Sequence, residues 1–375
     1  MTRESVRVGG RVGTFWRNAS ARWSAGARRL IRRPLFRGSL TPIRPPDRAD
    51  SPANSYRLAH RFVPTRGVGV GVGTPVHRAE RVEGVVGGGA LLVKRDDVIG
   101  FGVAGSKTRA LEYLVGDALV EGADVFVTGG GAGSNFCPGA AMAARVAGLD
   151  CELVVWGDPA GSDNLALAVA AGATLLPTGG TDREAVDVLV EQRAARLRAR
   201  GRRPYAVPRG GATAVGAVGF ARAAAELVEQ LDEPPALIVL PVGSGGSCAG
   251  LVAGLAAAGV DWPVLGVSVS RPPAEIAARV QELAAGCAAL LGGPAPLVPE
   301  IVDARGPGFG TATPRERDRA RLALHTEGLL LDETYGAKAF SVAVDRLLAD
   351  PGGPVLYWHT GGLLPAVASI RKDVP

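Results

Sequence analysis

Asp124-Val-Phe-Val-Thr128 runs into Gly129-Gly-Gly-Ala-Gly-Ser134-Asn135, and an alanine-rich stretch then continues through Val146 to a second β-favouring run, Cys151-Glu-Leu-Val-Val-Trp156. The outer segments read as strands, the glycines as a tight turn and the middle as a helix. Strands joined through a helix of this length run parallel, because parallel neighbours need a long crossover.

The same alternation extends in both directions. Upstream, Ala90-Leu-Leu-Val-Lys94 is a strand candidate, and a helix opens at Lys107 and runs to about Glu121. Downstream come a helix from Ser162 to Ala171, the strand Ala173-Thr-Leu-Leu176 and a charged outer helix from Asp182 to Arg200. A second series starts with a helix from Gly210 to about Glu229 and the strand Ala236-Leu-Ile-Val-Leu-Pro-Val242, apolar enough to be buried on both faces. After the turn 243–247 an Ala/Leu-rich helix ends near Gly259, and Val264–Ser268 forms the next strand. Helices from Pro273 to Leu291 and Pro314 to Glu327, the short run Leu329–Leu331, a helix after Gly336 and a last strand Val355–Trp358 complete the series. The expected class is α/β, with open, parallel-rich sheets flanked by helices and no solenoid period. A chain of 375 residues is long enough for two lobes.

Composition and charge exclude several functions. The net charge is +6, but the arginines crowd into the first eighty residues and into Arg193–Arg203, which reads as a basic tail and a solvated helix face. No aromatics are interleaved with the later run to stack on bases, so nucleic-acid binding is not expected. Cys137, Cys151, Cys248 and Cys287 are widely spaced, with no Cys-x-x-Cys and no histidine at ligand spacing. They read as reduced, mostly buried thiols of a cytoplasmic protein without a metal site. No apolar segment has the length of a signal core or a membrane span. Residues 1–66 form a basic N-terminal extension, partly disordered or packed on the surface; a short interfacial helix around Ala27–Phe36 is the alternative, cut short by proline. Gly67–Gly73 reads as a flexible strand or linker.

Phe101-Gly-Val-Ala-Gly-Ser-Lys107-Thr-Arg109-Ala-Leu-Glu-Tyr113 carries the first chemical signal. A Gly-Ser pair predicts a turn and an N-cap, so Lys107 projects from the first turn of a helix, near the positive end of its dipole. There the charged form is disfavoured, which suits a Schiff-base lysine; a solvated lysine at an exposed helix start is the plain alternative. Three glycine-rich turns sit at strand-to-helix junctions: 129–135, 243–247 and His359-Thr360-Gly361-Gly362. Backbone N–H groups at such junctions favour an anion. Gly243, Ser244, Gly245, Gly246 and Ser247 make the best phosphate candidate, although a turn needing glycine only for its geometry reads the same way. No lysine follows these glycines, so the turn is not a Walker motif.

Six blocks together resemble a known family: Lys94-Arg-Asp-Asp97, Gly105–Arg109 with Tyr113, Ser134-Asn135, Val242–Gly246, Gly328–Asp332 with Tyr335 and Lys338, and Trp358–Gly362. Their order is similar to that of the pyridoxal-phosphate enzymes of the 1-aminocyclopropane-1-carboxylate deaminase and D-cysteine desulfhydrase family, over roughly residues 74–370. The resemblance implies a two-lobed tryptophan synthase β-like fold (fold type II), with residues 67–118 and 211–375 in the large lobe and 119–210 in the small one. It implies pyridoxal 5'-phosphate as cofactor and a homodimer. Lys107 would bond the cofactor covalently, Asn135 would meet its phenolic oxygen, and residues 243–247 would hold its phosphate. Ser134 would receive the substrate carboxylate, Tyr335 would stack or donate near the substrate, and Thr360 would meet the pyridine nitrogen. Substrates would be small or modified amino acids, losing a β substituent and ending as keto acid and ammonia, with β-replacement in a biosynthetic pathway as a variant.

The substrate-facing blocks depart from the family. Ser106 stands for an asparagine, and Phe136-Cys137-Pro138-Gly139 replace polar residues after Asn135. Ala304 and Arg305 stand where the deaminases place a tyrosine, and Gly336 where they carry a glutamate. These losses weigh against cyclopropane ring opening and leave β-elimination or β-replacement. Arg305 could pair with a second anionic substrate group or be an exposed arginine; Cys137 could touch substrate or be a small buried hydrophobe. Two other classes stay open: a nucleotide-dependent oxidoreductase using Gly129–Gly133 with Asp158 as ribose acceptor, and a non-catalytic pyridoxal-phosphate-binding protein.

Overall fold

The computed structural model describes residues 73–180 and 182–373; the expected extension 1–66 and nearly all of Gly67–Gly73 lie outside them. The first sheet has six strands in the order β1-β2-β10-β7-β8-β9. These are β1 (Val76–Arg78), β2 (Leu91–Arg95), β7 (Leu237–Val242), β8 (Val264–Ser268), β9 (Glu300–Asp303) and β10 (Val355–His359). The second sheet has four, in the order β5-β4-β3-β6: β3 (Val125–Gly131), β4 (Asp150–Trp156), β5 (Thr174–Pro177) and β6 (Pro204–Ala206). All pairings are parallel except β1 with β2. The α/β class and the parallel sheets expected from the sequence are therefore present.

Eleven helices cover the sheets among the described residues: α1 (Glu80–Val86), α2 (Lys107–Val120), α3 (Phe136–Val146), α4 (Asp163–Ala170), α5 (Ala185–Arg198), α6 (Ala214–Gln230), α7 (Gly246–Ala257), α8 (Pro273–Leu291), α9 (Pro314–Glu327), α10 (Gly336–Leu348) and α11 (Leu363–Asp373). The central strand β10 is buried throughout, between the equally apolar β7 and the strand β2. Continuous apolar runs of this kind form where helices cover both faces of a sheet.

Several boundaries differ from the sequence pattern for local reasons. The α6 helix starts at Ala214, not Gly210, because Thr213 caps it by accepting from the Gly216 amide at 3.0 Å while Gly210 and Gly211 take left-handed φ of 71° and 68°. The short run Leu329–Leu331 is extended chain that follows a left-handed cap at Gly328 and buries Leu329 under α10. The short elements β1, α1, β6, β9 and α11 had no counterpart in the pattern.

Helix α2 is shared between two cores. Leu111, Leu114, Val115 and Ala118 pack with Phe126, Leu153 and Val155 of the four-stranded sheet, whereas Tyr113 joins Ala217, Ala253 and Cys287 on the other side. Gly219 of α6 lets this second contact form, since a Cβ there would lie 1.9 Å from the Arg109 carbonyl oxygen. The base of α2 is clamped by a buried ion cluster. Arg109 Nη2 donates to Asp96 at 2.7 Å and its Nη1 to Glu226 at 3.0 Å; Asp96 also accepts from Trp358 Nε1 at 2.9 Å, and Lys94 pairs with Glu226.

Candidate active site

Lys107 stands at the first position of α2, as the glycines before it predict. Ser106 holds the N-cap position but its side chain does not cap: its backbone is helical (φ −57°, ψ −17°) and its hydroxyl is buried without a partner among the described residues. The first turn is instead satisfied by the loop backbone, with the amides of Lys107, Thr108 and Arg109 donating to the carbonyls of Ala104, Gly105 and Ser106 at 3.1–3.2 Å. Ser106 contributes through its amide, which donates to the Thr360 carbonyl at 3.0 Å. Gly105 (φ 53°) makes that approach possible, because a Cβ would lie 2.6 Å from the same oxygen. Thus the loop before Lys107 rests on the turn after β10.

The Lys107 side chain lines a cleft and has no carboxylate partner among the described residues. Surrounding protein desolvates the amine and holds its pKa below the ordinary lysine value; burial is the cause, where the helix dipole was expected to be.

Strand β3 continues through Gly131, so the second turn spans only 132–135. Gly131 lies flat against Trp156 of β4, and a Cβ there would sit 2.8 Å from the indole ring. Ser134 Oγ accepts from the Phe136 amide at 3.3 Å. Asn135 Oδ1 accepts from Asn164 at 3.2 Å, which leaves the Asn135 NH2 uncommitted among the described residues. Cys137 does not reach the cleft. It is fully buried behind Gly130, and burial raises its thiol pKa to about 11, so it packs as a small hydrophobe.

At the end of β7, Gly243, Ser244, Gly245 and Ser247 line the cleft and lead into α7; Gly246 opens that helix without lining it. Gly245 is left-handed (φ 96°), the conformation that turns the strand into the helix N-terminus, where the first amides have no intrahelical partners. Tyr335 lies over Gly243, with a Cβ there 3.0 Å from its ring. Its backbone is set by Asp332, a buried carboxylate that accepts from the amides of Thr334, Tyr335 and Gly336 at 3.0, 3.0 and 2.9 Å. Burial raises the Asp332 pKa to about 6 against the pull of those amides. Burial and the neighbouring Asp332 charge push the Tyr335 phenol up, so it stays protonated at neutral pH.

The cleft has a volume of about 460 Å³ and gathers Lys107, Ser134, Asn135, residues 243–245, Ser247, Tyr335 and Thr360. Arg305 is absent from it: the side chain is about two-fifths exposed and forks onto Asp303 two residues away. Its backbone carbonyl matters more, because buried Lys338 donates to it at 2.7 Å and so holds the loop that carries Phe309. Asp158, the ribose acceptor of the oxidoreductase reading, is an exposed turn residue bonded to the Ala160 amide and does not line the cleft.

Sequence reasoning missed Trp156, Phe309 and four arginines that also line the cleft. Phe309 stands edge-on to Tyr335 with centroids 6.1 Å apart and lies 6.5 Å from Trp156, so three rings wall one side. Arg183, Arg209, Arg271 and Arg279 come from three separate stretches of chain.

Known proteins share this arrangement of sequence and fold. The family model for pyridoxal-phosphate dependent enzymes matches residues 69–361. The chain is 34% identical over 291 residues to a Pyrococcus horikoshii protein named for 1-aminocyclopropane-1-carboxylate deaminase, covering 77% of this chain and 89% of that one. It is 34% identical over 317 residues to the D-cysteine desulfhydrase of Salmonella typhi, covering 81% and 96%. The crystal structure of a homologue of 1-aminocyclopropane-1-carboxylate deaminase matches with a TM-score of 0.80 at 32% identity, over 85% of this chain and 97% of that one. An L-serine ammonia-lyase from Rhizomucor miehei has the same fold, with a TM-score of 0.59 at 21% identity.

Proposed function

The chain belongs to the pyridoxal-phosphate dependent enzymes, and from that premise we propose that it removes a β substituent from a small or modified amino acid, releasing keto acid and ammonia in the manner of a D-cysteine desulfhydrase. The observation that carries the reading is Lys107: a desolvated amine with no counter-ion, facing a cleft whose opposite end is a glycine-serine loop at a helix N-terminus. A lysine so placed fits an aldehyde cofactor, and a loop so built fits its phosphate.

When bound, the cofactor supplies an electron sink for the bonds at Cα. The chain's own residues do the rest. Lys107 would bond the cofactor's aldehyde carbon, and its amine, once free, would move a proton at Cα or Cβ of the substrate, a task that burial assists by favouring the neutral form. The NH2 of Asn135, uncommitted among the described residues, would donate to the cofactor's phenolic oxygen, and the amides and hydroxyls of 243–247 would hold its phosphate. The Thr360 hydroxyl would meet the ring nitrogen. Ser134 and the amides at the start of α3 take the substrate carboxylate. Tyr335, kept as a neutral phenol, donates near the departing group or stacks on the substrate.

Elimination is preferred over ring opening because Gly336 and Ala304 provide no acid and no phenol where ring opening would use them. The walls formed by Trp156, Phe309 and Tyr335 suit an apolar β substituent. We further propose that the four-stranded sheet with its helices is the small lobe and the six-stranded sheet the large one. The enzyme acts in the cytoplasm as a homodimer.

The test is spectroscopic and chemical. The purified protein carries a visible band from lysine-bound cofactor, and Lys107→Ala abolishes it. D- and L-amino acids, β-substituted and cyclopropane ones included, are then screened for spectral change and for keto acid and ammonia. Turnover of β-substituted amino acids supports elimination; turnover of the cyclopropane substrate alone overturns it. A band that no amino acid shifts marks a binding protein, and a colourless protein that ignores added cofactor refutes the reading entirely.

A further inference from the structure

We propose that Arg279 supplies the positive charge that neutralises the cofactor's phosphate, an inference that rests on residues 243–247 being the phosphate loop. That loop offers amides and two hydroxyls but no cation. A helix N-terminus carries roughly half a positive charge, which leaves most of a phosphate dianion unbalanced in a cleft partly shielded from water.

Four arginines line the cleft, and three of them are already paired. Arg183 bonds Glu184 at 3.1 Å, Arg209 bonds Asp187 and Glu184 at 3.0 Å each, and Arg271 pairs with Glu275 and reaches Glu184 at 3.4 Å. Arg279 has no carboxylate partner among the described residues. Its one bond is to the loop itself, Nε donating to the Ser244 carbonyl at 3.1 Å, so the remaining N–H groups of its guanidinium are held beside Ser244 without an anion.

Packing fixes this placement independently. At Gly245 an added Cβ would lie 3.3 Å from Val280 Cγ2 and 3.5 Å from Ile276 Cδ1, so α8 rests directly on the loop and carries Arg279 beside Ser244. Lys107 cannot take the role, since its amine would be engaged with the aldehyde and its burial favours the neutral form. Glu275, one turn earlier on α8, is occupied by Arg271.

The test separates the phosphate from the rest of the cofactor. Wild type, Arg279→Gln and Arg279→Lys are stripped and titrated with pyridoxal phosphate and with pyridoxal, which lacks the phosphate, following the visible band. Arg279→Gln is expected to weaken pyridoxal phosphate about 10- to 100-fold, the usual range for losing a charge-assisted contact, and to leave pyridoxal unchanged. Arg279→Lys recovers most of the difference. In phosphorus NMR, the bound phosphate of wild type stays a dianion as pH falls toward about 6, near its free second pKa, whereas that of Arg279→Gln titrates. Equal weakening of both ligands, or none, overturns the role of Arg279, as does a phosphate signal that behaves alike in both proteins. A wild type that binds neither ligand overturns the cofactor reading itself, a distinct result.

Discussion

His359, the last residue of β10, precedes Thr360 and is almost completely buried. Its Nδ1 accepts from the Gly361 amide at 3.3 Å, while Nε2 has no hydrogen-bond partner among the described residues and stands 3.8 Å from the Asp97 carboxylate. Burial lowers its pKa to about 4, with Arg95 pushing the same way and Asp97 opposing. The unfolded chain, with a histidine pKa near 6.5, therefore takes up a proton that the folded protein refuses. Stability carried by this group is complete above about pH 6.5 and is lost as pH falls toward about 4. With the folded value near 4 against about 6.5 unfolded, the full loss is about 3 kcal/mol. Asp332 acts in the opposite sense: its raised pKa means the folded state takes a proton first, so its contribution improves as pH falls from about 6 toward about 4. The wild-type curve alone shows only the net of these two and of the other shifted groups, Glu83, Glu184, Glu226 and Asp303 among them. His359→Asn removes the titrating ring and keeps an acceptor for the Gly361 amide. Urea unfolding of both cofactor-free proteins is compared from about pH 7 to about pH 4.5. The stability gap in favour of wild type is expected to shrink by about 2–3 kcal/mol over that range, whatever constant cost the substitution adds. Parallel curves would refute a buried neutral histidine beneath the Thr360 turn.

Two other changes test the site and its base. Gly245→Ala forces an alanine to φ 96° against Val280, a strain of about 1–2 kcal/mol, and is expected to weaken pyridoxal phosphate roughly tenfold in a spectral titration. Arg109→Met leaves buried Asp96 without its guanidinium, while partly buried Glu226 keeps Lys94, and urea unfolding near neutral pH is expected to register a loss of about 3–5 kcal/mol.

What the sequence revealed and what it hid divide along physical lines. Strands such as Ala236–Val242, buried on both faces, announce themselves by continuous apolar runs, and five residues singled out in the sequence, Lys107, Ser134, Ser244, Tyr335 and Thr360, line one cleft. Strands β1, β6 and β9 have three or four residues and no fully buried position, so composition carried no signal for them. Trp156 and Phe309 meet only because the loop after β9 folds over the end of β4, a contact that no periodicity encodes. The arginines are similar: a helical pattern identifies α8 but not which of its polar positions faces Ser244. Arg305 misled in the other direction, since a departure from the family pattern drew attention to a side chain that pairs locally with Asp303.

The reacting groups are tied together by backbone contacts more than by side chains. Ser106 is bonded to Thr360, Gly361 sits with its added Cβ 3.1 Å from Gly105 Cα, and Gly362 presses on Asp332, with its added Cβ 2.8 Å from the carboxylate that orients Tyr335. A displacement of the 360–362 turn therefore moves Lys107 and Tyr335 together. The aromatic wall is held separately, through Lys338 under the Phe309 loop and Trp156 on β4. Changes in the turn should consequently alter cofactor binding and turnover for every substrate alike, whereas changes at Trp156 or Phe309 should reorder substrates and leave the visible band intact.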